Sequence, residues 1–184
     1  MNTDNKQLKD KVAAYQEVLQ NTLVYRKAWE ETTKEFINKT LSGFLSESGL
    51  NGRIAENTEM VNLESVQLDL GRSSSGIAQS RETAEIRNFM IKNNGALIYQ
   101  QLFNGKIMVM VQHPHIEGYG ENKEPQFLEI VAPTEVTEDL IFKHVDSLLD
   151  IITQWEDFDD EGPQKKTVFQ PIGFQHSANT SNPE

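Results

Sequence analysis

The chain has 184 residues, with 17 basic against 28 acidic and no cysteine. A net charge of -11 without any cluster of Lys and Arg argues against phosphate-tracking contact with nucleic acid and against attraction to anionic membranes. The missing cysteine excludes disulfides, thiolate chemistry and cysteine-ligated zinc, while the length suits one domain with a real core.

The opening MNTDNKQLKDKV lacks the apolar core of a signal peptide, and no run approaches membrane-spanning length. A soluble cytoplasmic protein is the expectation. From about Asn5 to Leu45 the apolar residues recur with a helical period, and no glycine or proline intervenes before Gly43. Leu8, Val12, Tyr15, Leu19, Thr22, Arg26, Trp29, Thr33, Phe36 and Thr40 form a stripe in alternating steps of four and three. A helix of ~40 residues would be ~60 Å long, so it must bend, break into a helical hairpin, or pack along another subunit. The Thr and Arg in the stripe argue against a strong parallel zipper. The expectation is a long amphipathic helix, or a helical hairpin, that covers a sheet and assists dimerisation.

Ser46 to Thr58 reads as a loop. Val61-Asn62-Leu63 and then Val66 to Leu70 alternate, with a one-residue slip of phase that predicts a β-bulge or strand bend. Gly71 to Gly76 reads as a flexible turn, and residues 77–91 fit either a short helix or an irregular strand.

The strongest local signal is GALIYQQLFNGKIMVMVQ, residues 95–112. Asn104-Gly105 tolerates the positive φ that a two-residue hairpin turn requires at both central positions. That turn would pair Leu102 with Ile107, Gln100 with Val109 and Ile98 with Val111. The other face would carry Leu97, Tyr99, Phe103, Met108 and Met110. Both faces are then largely apolar, which predicts a central hairpin covered on both sides.

His113 to Pro125 reads as a loop and Phe127 to Val131 as a strand. Pro133-Thr134 opens a second helix with Thr134 as N-cap, and its apolar stripe runs Val136, Leu140, Ile141, Val145, Leu148, Leu149, Ile152, Trp155 and Phe158. Beyond Pro163 one apolar segment, Val168 to Phe174, interrupts a polar tail expected to be disordered. Helices flanking a run of strands predict an α+β fold. The expected plan is one domain over 1–162, helical over 1–46, a mostly antiparallel sheet of four to five strands over 60–132 and a helix over 134–158. Residues 163–184 form its tail.

Several patterns carry chemistry. His113-Pro114-His115-Ile116-Glu117 offers a divalent metal two imidazoles, with Glu117, Glu121 or Glu124 for a carboxylate. The intervening proline breaks regular alternation, so the rings need not converge. Asp157 to Gly162 imitates the first half of a calcium loop, but the twelfth place, which needs a bidentate carboxylate, is Val168. Gly71 to Gly76 offers backbone amides and Arg72 to an anion, without the Gly-Lys-Ser/Thr ending of a phosphate loop. His144 sits among apolar helix positions beside Ile141 and Leu148, where a hydrogen-bonded structural histidine is the expectation and Asp146 faces elsewhere. No Ser/His/Asp arrangement stands out.

The face of Leu97, Tyr99, Phe103, Met108 and Met110 combines methionine with aromatics, an adaptable surface of the kind that binds other proteins. The functional expectation is a non-enzymatic interaction module, adaptor-like or chaperone-like, homodimeric through helix and sheet surfaces, and without a cofactor. The alternative is a metal-binding protein or metal-dependent enzyme built on His113, His115 and Glu117.

Overall fold

The computed structural model describes residues 3–79, 88–120 and 122–157. Its architecture is α+β, with a long N-terminal helical path, antiparallel sheets of five and three strands, and a second helix after them. The polar tail, the calcium-like stretch beyond Asp157 and much of 77–91 lie outside the described residues.

The first helix, α1, spans Thr3–Ala28 and continues through a π-helical turn, Trp29–Thr33, into α2, Lys34–Ser48. In the π turn the Lys34 N–H donates to the Trp29 carbonyl, five residues back. That wider turn has a consequence for the apolar stripe. Steps of four residues overshoot a 3.6-residue turn by about 40° each, and one wide turn takes up the drift. Trp29, Thr33, Ile37 and Leu41, all four apart, therefore reach the core together. The expected stripe leaves the core at this point, and Phe36 is 39% exposed. Gly49, with φ +70°, ends α2 in the left-handed conformation.

The five-stranded sheet has the order β1-β2-β5-β6-β8, where β1 is Arg53–Asn57, β2 Ser65–Asp69, β5 Ala96–Gln101, β6 Ile107–Gln112 and β8 Gln126–Val131. The 95–112 hairpin is central, as expected. The second sheet has the order β3-β4-β7, with β3 Arg72–Gln79, β4 Asn88–Asn93 and β7 His115–Ile116. The Leu70 N–H donates to the Gly95 carbonyl at 3.1 Å and the Asn94 N–H to the Gly71 carbonyl at 3.0 Å. These two bonds join the β2–β5 and β3–β4 pairs into one long ribbon. Gly95 marks the join, because its φ is +93° and a Cβ there would lie 2.9 Å from the Gln112 carbonyl oxygen.

Four local expectations are corrected. The loop expected over Ser46–Thr58 contains β1, whose Arg53 pairs with Asp69 across the ladder. Val61 to Leu63 is a bend rather than a strand, with Asn62 at φ +63°. The serine run expected to form a turn lies in β3, where the Ser75 hydroxyl donates to the Met90 carbonyl at 2.8 Å and Gly76 falls within the register shift between Ser74 and Ala78. The second long helix, α3, spans Glu138–Glu156, and its N-cap is Thr137, whose Oγ1 accepts from the Leu140 N–H. Pro133–Glu135 forms a separate 3-10 turn held by the Glu135 carboxylate on the Ala132 N–H at 2.9 Å.

The hairpin register also differs. Leu97 pairs with Val111, Tyr99 with Val109 and Gln101 with Ile107, one residue from the expected pairing. The cause is the loop, which has three residues, Phe103-Asn104-Gly105, rather than two. The Gly105 N–H donates to Leu102 O and the Leu102 N–H to Lys106 O, both at 2.8 Å. Of the loop residues only Gly105, φ +78°, takes a positive φ, the pattern of a turn followed by a left-handed bulge residue. A slip of one moves side chains to the other face. Leu97 and Tyr99 thus lie beneath the helices while Met108 and Met110 point to the opposite side.

The core forms on one face of the five-stranded sheet. Val66, Leu68, Leu97, Tyr99, Val109 and Val111 meet Ile37 and Leu41 of α2 and Ile141, Val145 and Leu148 of α3. Among the described residues no helix is long and apolar enough to cross a membrane.

Candidate functional site

The polar clusters come first, because they would carry catalysis or metal binding. His115 lies in β7 opposite Asn93, and its Nδ1 is buried without a hydrogen-bond partner. His113 precedes it by two positions. Burial, with Lys123 nearby, holds the His113 imidazole below its ordinary pKa. Glu117 turns toward Arg72, with 3.5 Å between carboxylate and guanidinium. Among the described residues no group of three or more His, Asp or Glu side chains gathers as a metal site would require. Glu117 is thus drawn to an arginine, and Glu121 lies outside the described residues.

His144 does find a carboxylate partner, one supplied by a strand and not by its own helix. Its Nε2 lies 2.7 Å from Glu129 Oε1 in β8, and its Nδ1 lies 3.0 Å from the Tyr99 hydroxyl in β5. Glu129 accepts from the imidazole Nε2–H, so in the neutral ring Nδ1 accepts from the phenol. Burial, reinforced by the Glu129 charge, pushes the Tyr99 pKa far up and keeps the phenol protonated. The arrangement is a carboxylate–imidazole–phenol chain, but it ends on a hydroxyl whose residue is 0% exposed. It fastens α3 to the sheet, with the phenol and imidazole sealed and the Glu129 side chain 35% exposed. Sequence reasoning missed it because Glu129 and His144 come together only when β8 and α3 pack; the one signal was a lone glutamate within an apolar strand.

A second missed cluster sits at the π turn. Glu64 accepts from the Trp29 indole N–H at 3.1 Å and from the Lys34 ammonium at 2.8 Å. The Lys34 hydrogen bond leads in holding the Glu64 carboxyl below its ordinary pKa, and burial opposes it. This triad locks the start of α2 to the loop before β2. A third cluster, a cleft of about 480 Å³, is lined by Arg53, Asp69, Gly71, Arg72 and Asn93 where the two sheets meet.

The apolar surface is the more unusual feature. From residue 5 to residue 20 of α1 every side chain is exposed, all round the helix. Leu8, Val12, Tyr15, Leu19 and Leu23 line one stripe and are between 49% and 63% exposed. Among the described residues, contacts with the body are confined to the C-terminal end of α1. Arg26 donates to the Phe103 carbonyl at 2.5 Å, and Gly105 sits so close that a Cβ would meet Tyr25 Cβ at 2.8 Å. Two of the four polar members of the expected stripe dock on the body: Arg26 holds the hairpin loop and the Thr33 hydroxyl donates to the Pro133 carbonyl at 3.3 Å, while the Thr22 hydroxyl turns back to the Val18 carbonyl of its own helix. The apolar members before Thr22, namely Leu8, Val12, Tyr15 and Leu19, stay exposed.

The helix-free face of the five-stranded sheet is the second surface. Cross-strand pairs Ile98–Met110 and Met108–Ile130 lie on it, with Phe127 beside Met110. Phe127 is 55% exposed and Ile130 48%. The five residues expected to share one binding face are therefore divided. Leu97 and Tyr99 are core, Met108 and Met110 are half-buried on the open face, and Phe103 projects from the loop at 75% exposure beside the root of α1.

No protein-family model matches the chain, and comparison with curated proteins and with solved structures finds no significant match.

Proposed function

We propose that the chain is a cytoplasmic protein-interaction module, adaptor-like or chaperone-like, that works as a homodimer with α1 as its contact helix. The observation that carries this is the exposed length of α1, 16 positions with an apolar stripe and nothing of the described residues against it. Helices of that length are marginal in water unless an amphipathic face is packed. A second copy fits the stripe for two reasons. Leu8, Val12, Tyr15 and Leu19 are spaced 4, 3 and 4, the repeat of a two-helix seam, with Val12 and Leu19 at one seam position and Leu8 and Tyr15 at the other. The charge also fits. Lys6, Lys9, Lys11, Arg26 and Lys27 outnumber Asp4, Asp10 and Glu17 in α1, within a chain of net -11. Two copies therefore approach more readily helix to helix than body to body.

The test is native mass spectrometry and sedimentation of the full chain, beside a Leu8→Glu/Leu19→Glu variant. The wild type should be a dimer and the variant a folded monomer with unchanged near-ultraviolet circular dichroism. A wild type that stays monomeric at every concentration, or a variant that stays dimeric, sinks the proposal.

A further inference from the structure

The helix-free side of the sheets presents a particular combination of groups. Ile98, Met108, Met110 and Phe127 form an apolar strip, and Arg53 and Arg72 stand at its end in the cleft between the two sheets. Two guanidiniums in a chain of net -11 are a local exception. Asp69 engages Arg53 at 2.8 Å, whereas Arg72 reaches Glu117 only at 3.5 Å with its side chain 63% exposed. A ligand matched to this side is a peptide with carboxylates at one end and apolar residues at the other.

The chain itself carries such a peptide. Asp159, Asp160 and Glu161 precede Val168-Phe169-Gln170-Pro171-Ile172-Gly173-Phe174. Its point of departure is fixed by the end of α3. Lys92 of β4 bonds Glu156 at 2.5 Å and lies 5.8 Å from the centre of the Trp155 ring. Lys92 thus faces α3, and by strand alternation Phe89, Ile91 and Asn93 face the other way, with Arg72 opposite Asn93. The acidic residues begin a few positions beyond that anchor. The carboxylates of 159–161 stand two to four residues beyond Asp157, within up to about 14 Å of it when extended, and Phe169 and Ile172 follow eight and eleven residues after Glu161. From the charge match, the apolar match and this reach we infer that the chain's own C-terminal segment, residues 159–174, docks on the helix-free side, with its carboxylates at Arg72 and Arg53 and Phe169 and Ile172 over the Met110–Phe127 strip. It is a built-in occupant that any partner of this face must displace. The inference concerns the sheet and not α1, so it stands or falls apart from the homodimer.

The absence of native cysteine makes the test direct. Ile130→Cys is paired with Phe169→Cys in the full chain and compared with an Ala14→Cys/Phe169→Cys control under oxidised glutathione. Docking in cis predicts that the first pair forms an intrachain disulfide at least tenfold faster than the control. Adding Arg72→Glu to the first pair should slow it severalfold. Equal rates for the two pairs overturn the proposal. A disulfide that joins two chains on a non-reducing gel overturns it in favour of the second copy's segment. Failure of either double variant to fold is checked by circular dichroism, with Phe127→Cys in place of Ile130→Cys as the alternate first pair.

Discussion

Leu19 and Trp29 share one helical path and one apolar period, yet Leu19 is 49% exposed and Trp29 1%. The difference lies in what stands opposite. At Trp29 the π turn swings the helix so that Trp29, Thr33, Ile37 and Leu41 meet the sheet together, and Glu64 closes over the indole N–H. At Leu19 no part of the described chain approaches. Periodicity reports that a face needs covering; it is silent about who covers it. Trp29→Ala should therefore cost about 3–5 kcal/mol of unfolding free energy, the range for deleting a buried large aromatic. Leu19→Ala should change the stability of the folded unit by no more than about 0.5 kcal/mol, while raising the dimer dissociation constant roughly tenfold or more. Urea melts at low protein concentration, together with sedimentation, separate the two effects. Comparable losses of monomer stability for both variants would erase the distinction between the docked and free parts of the helix.

The boundary between those parts can be probed at Gly105. Its φ is +78°, and a Cβ would meet Tyr25 Cβ at 2.8 Å and the Arg26 nitrogen and Thr22 carbonyl oxygen at 3.0 Å. Two of those neighbours are backbone atoms of a helix and cannot swing aside. Gly105→Ala should cost about 1–3 kcal/mol and loosen the hairpin tip from α1. Hydrogen exchange should then rise at residues 22–28 and leave the middle of β5 and β6 unchanged. Unaltered exchange at residues 22–28 would mean that the loop does not anchor the helix.

What the sequence made legible follows from how local each interaction is. The 95–112 hairpin, α3 and the length of the first helix were readable because period and turn chemistry are local. The hairpin register was not, since Asn-Gly serves both a two-residue turn and a three-residue loop, and only the Leu102–Lys106 bond decides between them. That single choice separated Tyr99 from Met108, which the two-residue turn would have placed on one face. β1 escaped notice because Ile54 is the only large apolar residue of Arg53–Asn57, and the ladder to β2 does the rest. The Tyr99–His144–Glu129 chain and the Glu64 triad join groups from separate elements, which no local pattern encodes. The apolar stripe of α1, by contrast, was visible, and its Thr and Arg members counted against pairing; all of them lie at or after Thr22, beyond the Leu8–Leu19 stretch, and Arg26 and Thr33 dock on the body.

The smallest expected effect concerns the docked part of the helix and its response to acid. The Glu64 carboxyl is held below its ordinary value of 4.5, first by the Lys34 hydrogen bond and then by the Trp29 indole. A carboxylate whose pKa is lower in the folded state binds protons more readily when unfolded. Its contribution is therefore present above about pH 4.5 and is lost as the pH falls through the folded value. Lys34→Met removes the leading cause and leaves burial, which raises the pKa, opposed only by Trp29. Urea midpoints taken between pH 7 and pH 3 should thus fall less steeply with acid in Lys34→Met than in the wild type, from a lower starting value. Leu19 is exposed, carries no ionisable group and lies ten residues before Trp29, so the same titration in Leu19→Ala should run parallel to the wild type. Parallel curves for all three proteins would show that Glu64 does not couple the π turn to the body.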